Sequence, residues 1–294
     1  MHLLFPLLAS ILFVCGLLLL KVATRQGANP WTVSLIANWW ASLAFSGFWF
    51  IGETPVPWSL IWQPAMVAVL FILGQIGTFL AITHGDVSIA APLFGLKVLF
   101  VAFLVTLFGG QTLPITIWIA AVFATIGIGL VQSTGKSEHT RVIYTVLSAI
   151  GASSSFSIFD VLVQRFCSSE HASWEANRFL PIMFWFVAIY SVIFLTAFQR
   201  KLLRSPEVRR SLLGGGLLIA LQALCVVFTL SNFGDAPRVN VVYATRGIWG
   251  VVLAWAAAKI WGGAESELTR GVMLMRLCGA TLITLGVILA IIAG

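Results

Sequence analysis

The sequence predicts an all-α integral membrane protein with ten transmembrane helices, arranged as two inverted five-helix repeats. Three observations carry this prediction: the composition, the apolar runs and the odd number of crossings in each half. Of 294 residues, 60% are hydrophobic and only 9% are charged, whereas soluble domains carry about 25% charged residues. Runs of about 20 apolar residues, each able to cross a bilayer as a helix, use most of the chain. They leave no room for a sizeable soluble domain.

Hydropathy and helix-breaking residues divide the chain into ten predicted helices. Clusters such as Gly85-Asp86 and Gly234-Asp-Ala-Pro237 disfavour helix continuation and mark helix ends. The predicted spans are 3–22, 32–51, 62–83, 87–108 and 113–132 in the first half, and 142–166, 178–199, 211–232, 238–261 and 271–292 in the second half.

The two halves carry a trace of internal repetition. Five crossings place the start of the second half on the opposite side of the membrane, so similar halves would form an inverted repeat. Lys97 follows Asp86 by eleven residues, and Arg246 follows Asp235 by the same number, with both pairs offset by 149. We therefore predict a first repeat over 1–132, a connecting loop over 133–141 and a second repeat over 142–294.

Two basic residues fall deep inside the predicted helices 4 and 9. Eleven helical residues rise about 16 Å, roughly half the hydrocarbon thickness, which places Lys97 and Arg246 near the midplane. A charge there costs about 2.5 to 3.5 kcal/mol on insertion scales. In a pseudosymmetric carrier, two such cations at the repeat interface suit a carboxylate or a phosphate. The alternative is that fixed partners neutralise both bases, which then only hold helices together.

Asp160 is the only acid placed well inside a predicted helix. One acid cannot neutralise two bases, so it does not by itself explain both cations. Two interpretations stay open. As a proton carrier, Asp160 would lie in a low-dielectric cavity that favours its neutral form; as a structural partner, it would stay paired with Lys97, Arg246 or Arg165.

Aromatic and polar residues of helices 2 and 9 are candidate contacts for the organic part of a ligand. Tyr243 lies three residues before Arg246 and Trp249 three residues after it, so the three share one helix face. Rings around a guanidinium allow stacking and cation–π contacts. In helix 2, Asn38 and Trp40 fall inside the apolar run. Packing against lipid or core explains these residues at least as well.

Signatures of catalysis and cofactor binding are missing from the sequence. It contains no HExxH motif and no P-loop, and its four histidines are far apart along the chain. The four cysteines lack the spacing of a disulfide framework or a CxxC metal site. The net charge is +7, but a nucleic-acid-binding face needs a water-exposed surface. We therefore expect no enzyme activity, no cofactor, no metal and no nucleic-acid partner.

Several segments follow the pattern of a known family. They are Leu12-Phe-Val-Cys-Gly-Leu-Leu-Leu-Leu-Lys21 followed by Gly27 and Pro30, Ala81-Ile-Thr-His-Gly-Asp-Val-Ser-Ile-Ala-Ala-Pro92, and Leu107-Phe-Gly-Gly-Gln-Thr-Leu113 followed by Gly127-Ile-Gly-Leu-Val131. On these motifs the chain resembles the drug/metabolite transporter superfamily, in its EamA-like branch. Gln111 stands where the family usually has a glutamate.

The resemblance implies a carrier of small organic solutes that works by alternating access, as an exporter or exchanger in the cell (inner) membrane. Lys97, within Gly95-Leu-Lys97, also resembles the helix 4 lysine of nucleotide-sugar and sugar-phosphate translocators. Those relatives place basic residues of helices 4 and 9 in a central site, which implies such a site at Lys97 and Arg246. The expected partners are a small metabolite, the lipid bilayer and, through Asp160, protons.

Orientation and function each keep an alternative. The loops between helices 1 and 2, 5 and 6, 7 and 8, and 9 and 10 carry most basic residues, which places both termini outside the cytoplasm; the family resemblance implies cytoplasmic termini. The rival function is a non-transporting membrane protein, either an assembly factor or a lipid-modifying enzyme. A channel is less favoured, because no ring of repeated polar residues is visible.

Overall fold

The computed structural model describes residues 2–84, 89–90, 93–109, 112–132, 142–168, 172–252 and 270–293. Within these ranges all regular secondary structure is helical. In chain order the α-helices are α1 (Leu4–Arg25), α2 (Pro30–Ser46), α3 (Trp62–Thr83), α4 (Leu96–Gly109), α5 (Ile115–Gln132), α6 (Val142–Cys167), α7 (Ala176–Tyr190), α8 (Pro206–Phe233), α9 (Ala236–Tyr243) and α10 (Arg270–Ile292). Short 3-10 helices extend α2 over Gly47–Ile51 and α7 over Ser191–Ala197.

Several of these segments are long and apolar enough to cross a membrane. Within the described residues there are six: Leu4–Arg25, Trp58–Thr83, Val142–Cys167, Ala176–Ala197, Pro206–Phe233 and Leu274–Ile292. Two shorter apolar helices cover Leu96–Phe108 and Ile115–Val131. The predicted all-helical, multi-pass architecture is confirmed, while ten crossings in two inverted repeats stay a prediction.

The predicted helix-breaking residues lie at helix ends wherever the structure describes them. Asn29 caps α2 by accepting a 2.8 Å hydrogen bond from the Thr32 N–H, and Pro30 occupies the first turn. Gly234 ends α8 in the left-handed conformation, at φ 65°, which suits glycine because it has no Cβ. Asp86, Gln111 and the predicted connecting loop 133–141 lie outside the described residues.

Two of the helices predicted from hydropathy are interrupted in the structure: helix 4, predicted over 87–108, and helix 9, predicted over 238–261. Hydropathy predicted each as one continuous span. In helix 4 the chain makes a turn at residues 94–95 before α4 begins; in helix 9 it makes a turn at 244–245 and is helical again over 246–252. The backbone bonds there connect residues three apart, as from the Lys97 N–H to the Phe94 carbonyl. Hydropathy averaged over a whole span does not register this local change in hydrogen bonding.

Hydroxyl groups from neighbouring helices donate to two carbonyls at the break in helix 4, one of which, that of Gly95, also accepts the Val98 N–H at 3.2 Å. The Ser153 hydroxyl donates to the Leu93 carbonyl at 3.2 Å, and the Thr125 hydroxyl donates to the Gly95 carbonyl at 3.2 Å. In hydrocarbon an unsatisfied carbonyl costs several kcal/mol, so these bonds make the break tenable at membrane depth.

The chain forms two compact units. The first contains Met1–Ile72 and Leu162–Gly234, and the second contains Leu73–Val161 and Asp235–Gly294. Each unit therefore combines segments from both sides of the predicted connecting loop. The division at 132 and 142 is a prediction about repeats in the sequence, and the packing units do not follow it.

In the first unit, small residues bring α1 and α8 together. A Cβ built on Gly16 would lie 3.2 Å from the Gly215 carbonyl oxygen, and one on Gly215 would lie 3.0 Å from the Gly16 oxygen. Farther along, the rings of Phe45 on α2 and Phe184 on α7 stack at 3.9 Å between centroids. Close backbone approach at small residues, as between α1 and α8, is how membrane helices gain packing contacts where the hydrophobic effect is absent.

The loop that follows α2 is fastened to the start of α7. The Glu175 carboxylate accepts hydrogen bonds from the Thr54 N–H at 2.8 Å and the Thr54 hydroxyl at 2.7 Å. Arg178 donates to the carbonyls of Gly52 at 2.7 Å and Thr54 at 2.9 Å and stacks over Trp49. Partial burial raises the pKa of the Glu175 carboxyl, but the hydrogen bonds that it accepts outweigh this, and the pKa is lowered.

In the second unit, α5 and α10 cross at two glycines. A Cβ on Gly127 would lie 2.7 Å from the Gly279 carbonyl oxygen, and a Cβ on Gly279 would lie 2.6 Å from the Gly127 oxygen. Real Cβ atoms do not approach so closely, so these two positions require glycine. The crossing supports the cluster of apolar side chains on which the second half of helix 9 packs, through Ile248 and Val251.

Candidate functional site

Lys97 and Asp160 form a buried ion pair in the second unit. The Lys97 Nζ lies 2.8 Å from the Asp160 Oδ2, with the Asp160 side chain 2% exposed and that of Lys97 17% exposed. Lys97 is the second residue of α4, directly after the break, and Asp160 lies within α6. The pairing is one of the two interpretations that the sequence left open for Asp160. Its role as a proton carrier stays a prediction.

Asn240 completes the surroundings of the carboxylate. Its Nδ2 donates to the Asp160 Oδ2 at 2.8 Å and to the Ala236 carbonyl at 3.0 Å. Two donors, an ammonium and an amide, thus converge on the same oxygen. The other oxygen, Oδ1, accepts no hydrogen bond from any residue that the structure describes.

Phe156 lies beneath the Lys97 ammonium. The Lys97 Nζ is 5.8 Å from the centroid of the Phe156 ring, within the range of a cation–π contact. Phe156 precedes Asp160 by one turn of α6, so one face of this helix supplies both partners of the lysine. The Ser157 hydroxyl on the same helix lies 2.7 Å from the Ser153 carbonyl and 3.1 Å from the Lys97 carbonyl, so its one proton is shared between these two acceptors.

Arg246 and Tyr243 form the second part of the site. The Arg246 Cζ lies 4.6 Å from the centroid of the Tyr243 ring, so the predicted cation–π contact is present. Tyr243 is 6% exposed and is the last residue of α9, just before the turn. Asn240 lies one turn earlier on the same helix and connects this contact to Asp160.

Trp249 extends this part of helix 9 beyond Arg246. The residue is half-buried, and its indole Nε1 is buried without a hydrogen-bond partner among the described residues. A buried indole N–H usually has a partner. Trp249 therefore offers a hydrogen-bond donor as well as an apolar ring.

The predicted contacts on helix 2 belong to the first unit. Asn38 is 2% exposed. Trp40 is half-buried and packs toward α8, where its Cδ1 would lie 3.5 Å from a Cβ on Gly216. The structure thus groups Lys97, Asp160, Tyr243 and Arg246 in the second unit, while Asn38 and Trp40 are held within the first.

Sequence analysis missed three contributors to the site: Asn240, Phe156 and Ser157. Asn240 carried a usable signal, because it is a polar residue one turn before Tyr243 in an apolar span. Ser157 lies near the small residues at 151–155, which are typical of close packing between membrane helices. Close packing is indeed present there, since a Cβ on Gly77 would lie 3.1 Å from the Ala152 Cβ.

The ionisable groups of this site do not cancel one another. Lys97 and Asp160 neutralise each other, so the Arg246 guanidinium gives these three residues one net positive charge. A carboxylate or phosphate would gain charge-assisted hydrogen bonds from such groups.

A separate pocket of about 420 Å³ lies in the first unit. It is formed by the fastened loop and the residues before α7, and its lining is Thr54, Pro55, Pro57, Ala172, Ser173, Trp174 and Glu175. None of the predicted site residues lies in this lining. The donors and acceptors on Thr54 and Glu175 are already used by the bonds that fasten the loop.

Comparison with known proteins gives a family and a fold. Residues 1–133 match the model of the EamA-like transporter family. A protein of known crystal structure superposes with a TM-score of 0.74 at 13% sequence identity, covering 100% of this chain and 99% of that chain. At this identity the likeness shows the fold alone, but it extends over both halves of the sequence. No curated protein matches the sequence.

Proposed function

Because residues 1–133 match the EamA-like transporter family, we propose that the chain is a secondary transporter of a small organic metabolite that bears an anionic group. The family resemblance predicted from the sequence motifs is confirmed. The match establishes a multi-pass membrane transporter of the drug/metabolite type, which acts on a small molecule in a lipid bilayer. The anionic group, alternating access, and export or exchange across the inner cell membrane are the proposed refinement.

The observation that carries the anionic group is the position of Lys97 and Arg246 at two interrupted helices. Lys97 follows the turn at 94–95, and Arg246 follows the turn at 244–245. Interrupted helices form the substrate sites of many secondary transporters, because they direct helix ends and backbone groups toward the ligand. A cation at each interruption supports a ligand with a carboxylate or a phosphate.

The remaining residues have roles that follow from their chemistry. Tyr243 and Trp249 would contact the organic part of the metabolite through their rings. Asp160 holds Lys97 in the empty protein and supplies polarity or proton coupling. The proposed contacts of Asn38 and Trp40 rest on the sequence alone.

Uptake into liposomes tests the proposal. The purified chain is reconstituted and offered glutamate, lactate, malate and glucose 6-phosphate, with glycerol as an uncharged control. We expect accumulation of at least one anion and none of glycerol. Absence of uptake for every anion would contradict the proposal and favour a non-transporting membrane protein.

Variants then test the two bases. Removing Lys97 alone would leave Asp160 buried and unpaired, so the informative variant is the double substitution Lys97→Gln with Asp160→Asn, beside Arg246→Gln. Each of these two variants would lose a charge-assisted hydrogen bond to the bound anion, worth about 1.5 to 3 kcal/mol. This loss corresponds to roughly 10- to 100-fold weaker anion affinity. The matched control is Arg238→Gln, since Arg238 pairs with Asp235 at the start of helix 9. Unchanged affinity in both site variants would count against the site.

A further inference from the structure

An exposed basic surface lies at one end of the first unit. The 3-10 helix Arg200–Arg204 and the first turns of α8 contribute five exposed bases, which are Arg200, Lys201, Arg204, Arg209 and Arg210. The last turns of α1 contribute two more, Lys21 and Arg25. The same segments, 19–27 and 197–213, carry one acid, Glu207. We call these seven bases the basic surface, and one acid does not balance their charge.

Packing holds the three segments together. Leu20 of α1 and Val208 of α8 belong to one buried cluster, and Leu202 and Leu203 of the 3-10 helix pack against it. The bases on either side of these two leucines are exposed. The 3-10 helix is therefore amphipathic, with its leucines on the protein and its bases directed away from it.

The protein itself does not neutralise the basic surface. None of the seven side chains forms an ion pair or a hydrogen bond with another residue in the part of the chain that the structure describes. The Glu207 carboxylate instead accepts a 3.4 Å hydrogen bond from the Gln26 amide. Like charges gathered on one surface repel one another, and anions from outside the protein relieve this repulsion. The basic surface therefore favours an anionic partner.

The lengths of α1 and α8 place the basic surface at the boundary of the hydrocarbon. α1 carries no charged residue over 4–20, and α8 carries none over 211–233. At 1.5 Å per residue these runs are about 25 and 35 Å long, close to the roughly 30 Å of a bilayer's hydrocarbon core. The bases begin directly beyond one end of both runs. They therefore lie at the depth of the lipid headgroups.

We propose that the basic surface binds anionic phospholipids of the adjoining leaflet through their headgroup phosphates. Groups of four to eight lysines and arginines directly beside a membrane helix attract anionic lipids. Five of the seven bases are arginines, whose planar guanidinium groups bind phosphate oxygens through two parallel hydrogen bonds. Phosphates are present at this depth in a phospholipid bilayer, whereas an acidic protein would have to displace them from the same bases.

This lipid site is independent of the proposed substrate site. The basic surface belongs to the first unit, whereas Lys97 and Arg246 belong to the second. Binding of lipid at the basic surface does not require transport of a metabolite. The lipid site can therefore be tested in the purified chain without any substrate.

The contribution of each base is electrostatic and has a predictable size. A lysine or arginine near an anionic membrane surface contributes about fivefold to the affinity. Salt weakens this attraction, because the Debye length falls from about 10 Å at 0.1 M to about 3 Å at 1 M. Removal of the acid from the surface should act in the opposite direction to removal of a base.

Lipid competition on the purified full chain tests the proposal. The chain in an uncharged detergent is offered equal amounts of phosphatidylglycerol, which carries one negative charge, and phosphatidylcholine, which carries no net charge, with the same acyl chains. Native mass spectrometry counts the molecules of each lipid that remain bound. We expect a preference for phosphatidylglycerol that falls as the concentration of ammonium acetate rises.

Three variants test whether this preference arises at the basic surface. The triple substitution Arg200→Gln, Lys201→Gln and Arg204→Gln should weaken the preference by at least about tenfold. The matched control, Arg200→Lys with Arg204→Lys, keeps both charges and should keep most of the preference. Glu207→Gln removes the acid and should strengthen it. Thermal unfolding in detergent without lipid checks that each variant is folded, and Glu207→Gln still tests the sign if the triple variant is not.

Three results would contradict the proposal. Equal retention of both lipids by the wild type would overturn it and favour an acidic protein as the partner. An undiminished preference in the folded triple variant would overturn the assignment to the basic surface. Release of phosphatidylglycerol by an equal concentration of inorganic phosphate would show that the surface binds the free ion and not the lipid.

Discussion

Asn240 donates a 2.8 Å hydrogen bond to Asp160, and it does so to the same oxygen that binds Lys97. The three residues come from α9, α6 and α4, so one carboxylate connects both interrupted helices to α6. A buried carboxylate is tolerated at this depth because an ammonium and an amide share it. The arrangement holds Lys97 in position beside the two interruptions.

Loss of the Asn240 amide should weaken the fold by a modest amount. In Asn240→Leu the Asp160 oxygen keeps only one donor, and we expect a destabilisation of about 1 to 3 kcal/mol, the usual cost of a buried polar group that loses its partner. Thermal unfolding in detergent measures it. The control is Asn232→Leu, because Asn232 is exposed and its amide donates within its own helix, to the Phe228 carbonyl and the Ser231 hydroxyl. An equal loss of stability in both variants would contradict a special role for Asn240.

The ion pair should be strongly non-additive. Lys97→Gln alone leaves Asp160 buried and unpaired, and we expect a loss of about 3 to 5 kcal/mol, most of which the added Asp160→Asn restores. The matched substitutions at Arg238 and Asp235, whose side chains are 23% and 21% exposed, should give a smaller coupling energy, because Asp235 is less buried than Asp160, which is 2% exposed. Unfolding of the four single variants and two double variants gives both coupling energies; similar values for the two pairs would contradict the burial argument.

Sequence analysis predicted the all-helical architecture and selected the ionisable residues inside apolar spans, because hydropathy and charge are local properties. Lys97 and Asp160 stand out as ionisable groups in apolar spans, and Gly234 marks a helix end through its backbone freedom. Their partners could not be found in this way. Asp160 meets Asn240 across 80 residues of sequence, and only the tertiary fold brings them together.

The interruptions of helices 4 and 9 escaped prediction for a related reason. The apolar run continues through residues 94–95 and 244–245, so its hydropathy is that of one helix. What permits the break in helix 4 is hydrogen bonding to its carbonyls from Ser153 and Thr125, which are 60 and 30 residues away in sequence. The pattern of a single span does not contain that information.

The crossing of α5 and α10 should not tolerate a methyl group. In Gly127→Ala the added Cβ would lie 2.7 Å from the Gly279 carbonyl oxygen, so the backbones must move apart, at a cost of about 1 to 3 kcal/mol. The matched control is Gly151→Ala in α6, where a Cβ meets no atom within 4 Å. Alanine is favoured over glycine in a helix by about 1 kcal/mol, so this control should be neutral or stabilising. A neutral Gly127→Ala would show that the crossing is looser than described.

The fastened loop should respond to pH through Glu175. Hydrogen bonds from Thr54, Glu53 and Asn177 outweigh the effect of burial and lower the pKa of this carboxyl from its ordinary value of 4.5. A lowered folded-state pKa means that the ionised carboxylate stabilises the fold above the unfolded value, and that this contribution is lost as the pH falls through the folded value. The unfolding temperature of the wild type should therefore exceed that of Glu175→Gln at neutral pH, and the difference should shrink as the pH falls below 4.5 and disappear once the pH is below the lowered folded-state pKa.

Two variants check that this difference arises at the loop. Thr54→Val removes the 2.7 Å hydroxyl bond to the carboxylate, so it should lower the unfolding temperature at neutral pH and narrow the gap to Glu175→Gln. Glu207→Gln, at an exposed acid in the first turn of α8 whose described hydrogen bond is a 3.4 Å contact with Gln26, should change the unfolding temperature little. A difference between wild type and Glu175→Gln that grows as the pH falls would reverse the sign of the argument and exclude the carboxylate as the group that fastens the loop.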